Sequence, residues 1–128
     1  MCDIDKFKDF NDKNGHDCGD YVLKQLAKVM LNILRKQDIV SRWGGEEFLI
    51  LLPETSLAGS SIAAEKLRKS IESTEFHYKE EKFNVTITCG LSVYNENIGI
   101  KNCVKEADMA LYEGKEKGRN CVIAFHRN

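Results

Sequence analysis

The sequence has 128 residues, enough for one domain with a substantial buried core. Lys and Arg number 19 against 20 Asp and Glu, a formal charge of −1, which argues against a protein that coats nucleic acid and leaves small anionic ligands open. No run reaches the roughly 18 apolar residues of a membrane span, and no signal peptide is visible, so a cytoplasmic segment without membrane contact is expected. The five cysteines form no C-x-x-C pair and fit no zinc spacing, so they read as small buried hydrophobes in a reducing compartment.

In chain order, Asp3-Ile4-Asp5 reads as a strand end, but with only Met1 and Cys2 ahead of it the strand is too short to hold a sheet position well. Residues 11–20 read as a polar loop. Val22, Leu26, Val29, Met30 and Ile33 recur at helical spacing and predict a helix from Asp20 to about Lys36. Residues 39–52 predict a β-hairpin whose Gly44-Gly45 pair supplies the positive φ angles of a tight primed turn, with Pro53 ending the second strand. Thr55 or Ser56 caps a second helix that buries Ala63, Leu67 and Ile71. Residues 83–94 are rich in β-branched and aromatic side chains and predict one or two strands. A third helix spans about 101–115 with Val104, Ala107 and Leu111 inward, Gly118 stops it, and residues 121–125 form a last strand. Strands alternating with helices predict a single α/β domain, one sheet with helices packed against it.

Four segments carry groups with chemistry. Asp3 and Asp5 fall on one face of a strand, and like charges that close need a cation or solvent to compensate them. Glu46 and Glu47, just past the glycines, form a second acidic pair that could share a cation, although acidic residues at strand ends and turns are usually plain solvated surface. Lys115, Lys117 and Arg119 cluster at a helix end, where cations either cap the helix or clamp a phosphate chain. Asn11 to Asp20 can pair with a purine edge or simply build turns, and His16 there reads as a loop-stabilising residue.

Taken together, DIDKFKDFNDKNGHDCGDYVL, RKQDIVSRWGGEEFLILLP, VTITCGLSVY and EADMALYEGKEKGRNCV, in this order and spacing, resemble the GGDEF family of diguanylate cyclases over residues 1 to about 125, in its GGEEF form. The resemblance implies a central, mostly antiparallel sheet flanked by helices, with a ferredoxin-like core of the nucleotidyl-cyclase and polymerase-palm kind. It implies magnesium, with manganese as a substitute, held by Asp3, the Ile4 carbonyl and Glu46. Glu47 is then the second acidic group, for metal and for activating the ribose 3′-hydroxyl. Asn11 and Asp20 match the readers of the guanine edge, so the expected substrate is GTP. Lys8, Lys115 and Arg119 match phosphate ligands, Phe7 matches the loop whose backbone amides meet the phosphates, and Gly44 and Gly45 leave room for the nucleotide. Such a domain holds one GTP, so joining two into cyclic di-GMP needs a homodimer. An upstream sensor or receiver domain is the expected regulator.

Arg35 and Asp38 fit the family's RxxD product-inhibition site at its usual offset from GGEEF. Lys66 stands where the family often has a further arginine, and without the planar fork weaker product affinity is expected. Relative to the family, the sequence lacks the N-terminal helix and most of the first strand. An N-terminally incomplete domain over residues 1–128, poorly active by itself, is therefore expected. The alternative to a cyclase is a catalytically weak regulatory domain that binds GTP or cyclic di-GMP.

Overall fold

The structure is a computed structural model and describes residues 1–127. Its elements are β1 (Cys2–Ile4), α1 (Phe7–Asn14), α2 (His16–Ile33), β2 (Ile39–Arg42), β3 (Glu47–Leu51), α3 (Leu57–Ser73), β4 (Phe76–Tyr78), β5 (Glu81–Phe83), β6 (Ile87–Leu91), α4 (Gly99–Glu116) and β7 (Val122–Ala124). Five strands form one sheet in the order β2-β3-β1-β6-β7, antiparallel except for the β6–β7 pair. The expected α/β architecture, a mostly antiparallel sheet flanked by helices, is therefore present. Among the described residues no helix is long and apolar enough to cross a membrane.

Strand alternation divides the core into two layers. On one face Cys2, Ile4, Ile87 and Cys89 pack with Val22, Leu26 and Met30 of α2 and with Leu67 and Ile71 of α3. On the other, Met1 packs with Ala107 and Leu111 of α4. A Cβ on Gly90 would lie 2.1 Å from the Ala107 carbonyl oxygen and 2.3 Å from the Leu111 nitrogen. Only a glycine lets α4 lie this close to β6. All five cysteines are free and four are buried, as their scattered placement predicts.

The short first strand is not a weak member of the sheet. It is the middle strand, paired on both edges, and its hydrogen bonding runs past the strand itself. Met1 and Gly90 exchange main-chain hydrogen bonds at 2.9 and 2.8 Å, Ile4 N donates to the Glu46 carbonyl, and Asp5 N donates to Thr86 O at 2.9 Å.

Several local expectations are corrected. The polar segment 11–20 is helical apart from Gly15, whose φ of 89° breaks it into α1 and α2 while its N–H closes onto Asn11 O at 2.7 Å. His16 therefore opens α2, which ends at Ile33 rather than Lys36. Gly44 and Gly45 are not among the positive-φ residues, so the hairpin tip is no primed turn. Its loop is four residues long, closed by Trp43 N to Glu47 O at 2.8 Å and by the Arg42 guanidinium on Gly45 O at 2.8 Å. Ser56 does cap α3, its hydroxyl accepting from Gly59 N, but the buried stripe is Ala64, Leu67 and Ile71, with Ala63 only half-buried. A small β4–β5 hairpin lies outside the main sheet, where the highly charged stretch 75–82 hides any alternating pattern.

Candidate active site

The middle strand aims Asp3 at the α4 face, directly opposite Glu47 of β3 on one side and Thr88 of β6 on the other. Asp3 is 4% exposed, one of two buried polar or charged residues in the described core. Its Oδ2 accepts from the Lys115 ammonium of α4, whereas its Oδ1 has no hydrogen-bond partner. Burial pushes the Asp3 carboxyl above the usual aspartate range, and the Lys115 hydrogen bond and charge only partly offset this. Burial likewise raises Glu47, aided by the Asp3 and Asp108 charges and opposed by Lys115. Glu46 is half-buried beside them, tied to β1 through its own carbonyl, while the Ile4 side chain is sunk in the core. No group of three or more His, Cys, Asp or Glu forms a ready-made cage among the described residues. Asp3 and Glu47, opposite each other on β1 and β3, offer oxygen donors only, one of them an orphaned carboxylate oxygen, the donor type that suits a hard cation completing its shell with water or phosphate oxygens.

Asp5 shares the Asp3 face, as the period of two requires, but no cation balances it. Its Oδ1 accepts from the Thr88 hydroxyl at 2.5 Å, and its Oδ2 accepts from the Thr86 hydroxyl at 2.7 Å and from Asn120 N at 3.0 Å. The threonines and Asn120 escape a sequence reading because their partner is more than 80 residues away in the chain.

Beside the carboxylates lies a cationic edge. Lys115 comes from the last turn of α4, and Arg119 follows on the exposed turn after it. The turn that carries it is tied to the β1 end, where Asn120 N donates to Asp5 Oδ2 at 3.0 Å, and the Arg119 charge opposes the rise of the Asp3 carboxyl. Phe7 sits not in a loop but at the first position of α1; its ring is buried and no side chain caps the helix start. Lys8 follows it, exposed. Gly44 and Gly45 face open space, with no heavy atom within 4 Å of an added Cβ.

Asn11 of α1 lies against α2 at Gly19, the residue before Asp20: a Cβ there would sit 1.8 Å from Asn11 Oδ1. That oxygen is buried and unpartnered, and with Asp3 Oδ1 it completes the pair of buried, unsatisfied side-chain atoms among the described residues.

Arg35, Asp38 and Lys66 also come together, lining one cavity of about 300 Å³ with Ile33, Leu34 and Ile62. Arg35 is already engaged there. It pairs with Asp38 at 2.8 Å and donates to Thr55 Oγ1 at 2.8 Å and to Pro53 O at 3.1 Å. A larger apolar groove of about 720 Å³, lined by residues such as Leu49, Tyr94 and Val104, contains none of the candidate residues.

The family described as "Diguanylate cyclase, GGDEF domain" matches residues 1–121. The chain belongs to the GGDEF family. It is 44% identical over 129 residues to Diguanylate cyclase A of Treponema denticola, covering all of this chain and 35% of that protein. It thus spans about a third of that relative's length. Among solved structures it resembles diguanylate cyclase SiaD of Pseudomonas aeruginosa, solved with its activator SiaC, at a TM-score of 0.92 and 37% identity, covering 96% of this chain and 47% of that one. It also resembles the GGDEF domain of DgcB from Caulobacter crescentus in complex with c-di-GMP, at a TM-score of 0.90 and 31% identity, covering 96% and 74%.

Proposed function

We propose that this GGDEF domain is a magnesium-dependent diguanylate cyclase that condenses two GTP into cyclic di-GMP and two pyrophosphate. The observation that carries the reading is the identity of the two buried, unsatisfied atoms. One belongs to the aspartate matched to the metal and the other to the asparagine matched to the guanine edge. A buried acceptor left without a donor costs free energy, on the order of 1–3 kcal/mol, so each is a site prepared for a ligand.

In this reading Asn11 and Asp20 take the guanine edge. Lys8, Lys115 and Arg119 balance the phosphates, with the amides at the α1 start beside them, and the open loop at Gly44 and Gly45 gives the nucleotide access. Asp3, the Ile4 carbonyl, Glu46 and Glu47 hold magnesium or manganese, which when bound supplies Lewis-acid polarisation of phosphate oxygens. The 3′-oxygen of one nucleotide bonds to the α-phosphorus of the other as the bond to the pyrophosphate oxygen breaks. Its proton passes to Glu47, the second carboxylate of the GGEEF hairpin, acting as general base. One domain presents one nucleotide, so the reaction needs two copies face to face, and an upstream sensor or receiver domain would control their meeting.

The cavity of Arg35, Asp38 and Lys66 is proposed as the product-inhibition site. Because Asp38 and Thr55 hold the Arg35 fork, product binds against that competition. Arg35→Ala should abolish inhibition by cyclic di-GMP, and Lys66→Arg should strengthen it by adding a planar fork.

The deciding experiment incubates the concentrated protein with GTP and Mg²⁺, with ATP as control, and looks for cyclic di-GMP. Its formation from GTP alone is the expected result. Guanine nucleotide binding without turnover would instead favour a regulatory domain, and no nucleotide binding would remove both readings.

A further inference from the structure

We propose that Asp5 is a positioning residue: it fastens the Gly118–Asn120 turn so that Arg119 is held at the anion end of the site. The turn carries three consecutive positive φ angles, 111° at Gly118, 66° at Arg119 and 49° at Asn120. Glycine adopts such a conformation freely and asparagine tolerates it, but Arg119 is left-handed against the steric preference of a side chain with a Cβ. A run of this kind persists only where its surroundings overdetermine it.

The surroundings do so from two directions. Beneath the turn, Asn120 N donates to Asp5 Oδ2 at 3.0 Å and to Thr88 Oγ1 at 3.1 Å. Asp5 is itself fixed by the Thr86 and Thr88 hydroxyls, at 2.7 and 2.5 Å. At the side, Arg68 of α3 donates to Asn120 Oδ1 at 2.8 Å, and the Asn120 amide group donates to Glu72. Arg119 N closes onto Gly114 O at 3.0 Å. Every anchor grips the backbone of the turn or the Asn120 side chain. The Arg119 guanidinium enters none of the ion pairs among the described residues and acts on Asp3 through space. A free guanidinium on a turn tied at its backbone is pre-organised for an anion.

The inference rests on the nucleotide reading only for the identity of that anion, which a phosphate-chain probe replaces. Asp5→Asn, Arg119→Ala and the double variant of the whole chain are titrated with inorganic tripolyphosphate and with a non-hydrolysable GTP analogue. Charge alone predicts that removing the Asp5 carboxylate tightens anion binding. The latch predicts the opposite, because a side-chain amide oxygen cannot accept all three donors. Arg119→Ala is expected to weaken tripolyphosphate about tenfold. Asp5→Asn should weaken it by a similar factor, and should add nothing once Arg119 is gone. Unchanged or tighter binding by Asp5→Asn, losses that add in full, or a parent protein that ignores tripolyphosphate would overturn the proposal. A parent that takes tripolyphosphate but no guanine nucleotide removes the nucleotide reading and leaves the latch to be decided by the same cycle. Should Asp5→Asn not fold, Thr86→Val removes one of the donors that orient the carboxylate and must weaken binding in the same direction.

Discussion

The Lys115 ammonium is paired with one oxygen of the buried Asp3 carboxylate, and the other oxygen of Asp3 has no hydrogen-bond partner among the described residues. The pair joins the last turn of α4 to the middle strand, so the cationic edge and the acidic centre of the site are assembled by one contact. It also leaves Asp3 half-compensated: burial raises its affinity for a proton and Lys115 withdraws only part of that rise.

Lys115→Met should therefore destabilise the fold, because it strands a buried carboxylate. A full buried-pair loss is worth about 3–5 kcal/mol. Lys115 is a third exposed, so water partly replaces it and the expected cost is about 1–3 kcal/mol. Adding Asp3→Asn to that variant should restore much of the loss. Urea unfolding of the two single variants and the double variant reads the coupling; simple additivity would contradict the arrangement.

Gly19→Ala should mimic Asn11→Ala in guanine recognition. The new methyl would fall 1.8 Å from Asn11 Oδ1, and since Gly19 lies within α2 the side chain is what must move. Discrimination of GTP over ATP should fall by about 10- to 100-fold in both variants. Competition binding measures this, and a Gly19→Ala protein that retains full discrimination would refute the placement of Asn11.

The Arg35–Asp38 pair makes a prediction about acid. The Arg35 guanidinium holds the Asp38 carboxyl below the usual aspartate range, with burial opposing it. A carboxyl depressed in the fold adds stability above its unfolded value, and that stability is lost as pH falls through the folded one. The urea midpoint of Asp38→Asn should lie below that of the parent by a constant margin from pH 7 down to about 5. The margin should then shrink below about pH 4, where the unfolded carboxyl takes up its proton. A margin that grows in acid would reverse the sign.

Gly90→Ala tests the closeness of α4 to the sheet. The obstacles are backbone atoms of Ala107 and Leu111, which cannot rotate away as a side chain would. A cost of about 2–4 kcal/mol in chemical unfolding is expected, with α4 forced outward. A near-neutral substitution would mean that α4 is not seated as described.

What could be read in advance was whatever local rules govern. Val22, Leu26 and Met30 announce α2, Thr55 or Ser56 announces the start of α3, and residues 39–52 announce a hairpin. Local rules failed where a distant partner decides the conformation. Gly44-Gly45 suggests a primed turn, but Arg42 ties the loop through the Gly45 carbonyl and needs no positive φ. Residues 11–14 look like loop, yet they are helical because Phe7 is anchored in the core and Asn11 lies against Gly19.

By itself, the sequence determined the class of fold, the family and the chemical kind of every candidate group, because hydrophobic period and motif spacing are local properties of the chain. Only the tertiary structure decided which of those groups are satisfied. Asp3 and Asp5 look equivalent two residues apart on one strand. Folding gives Asp5 three donors from Thr86, Thr88 and Asn120, and leaves Asp3 with Lys115 and one bare oxygen. The difference is physical and not local: it depends on which donors the far ends of β6 and α4 bring to each carboxylate once water has been excluded.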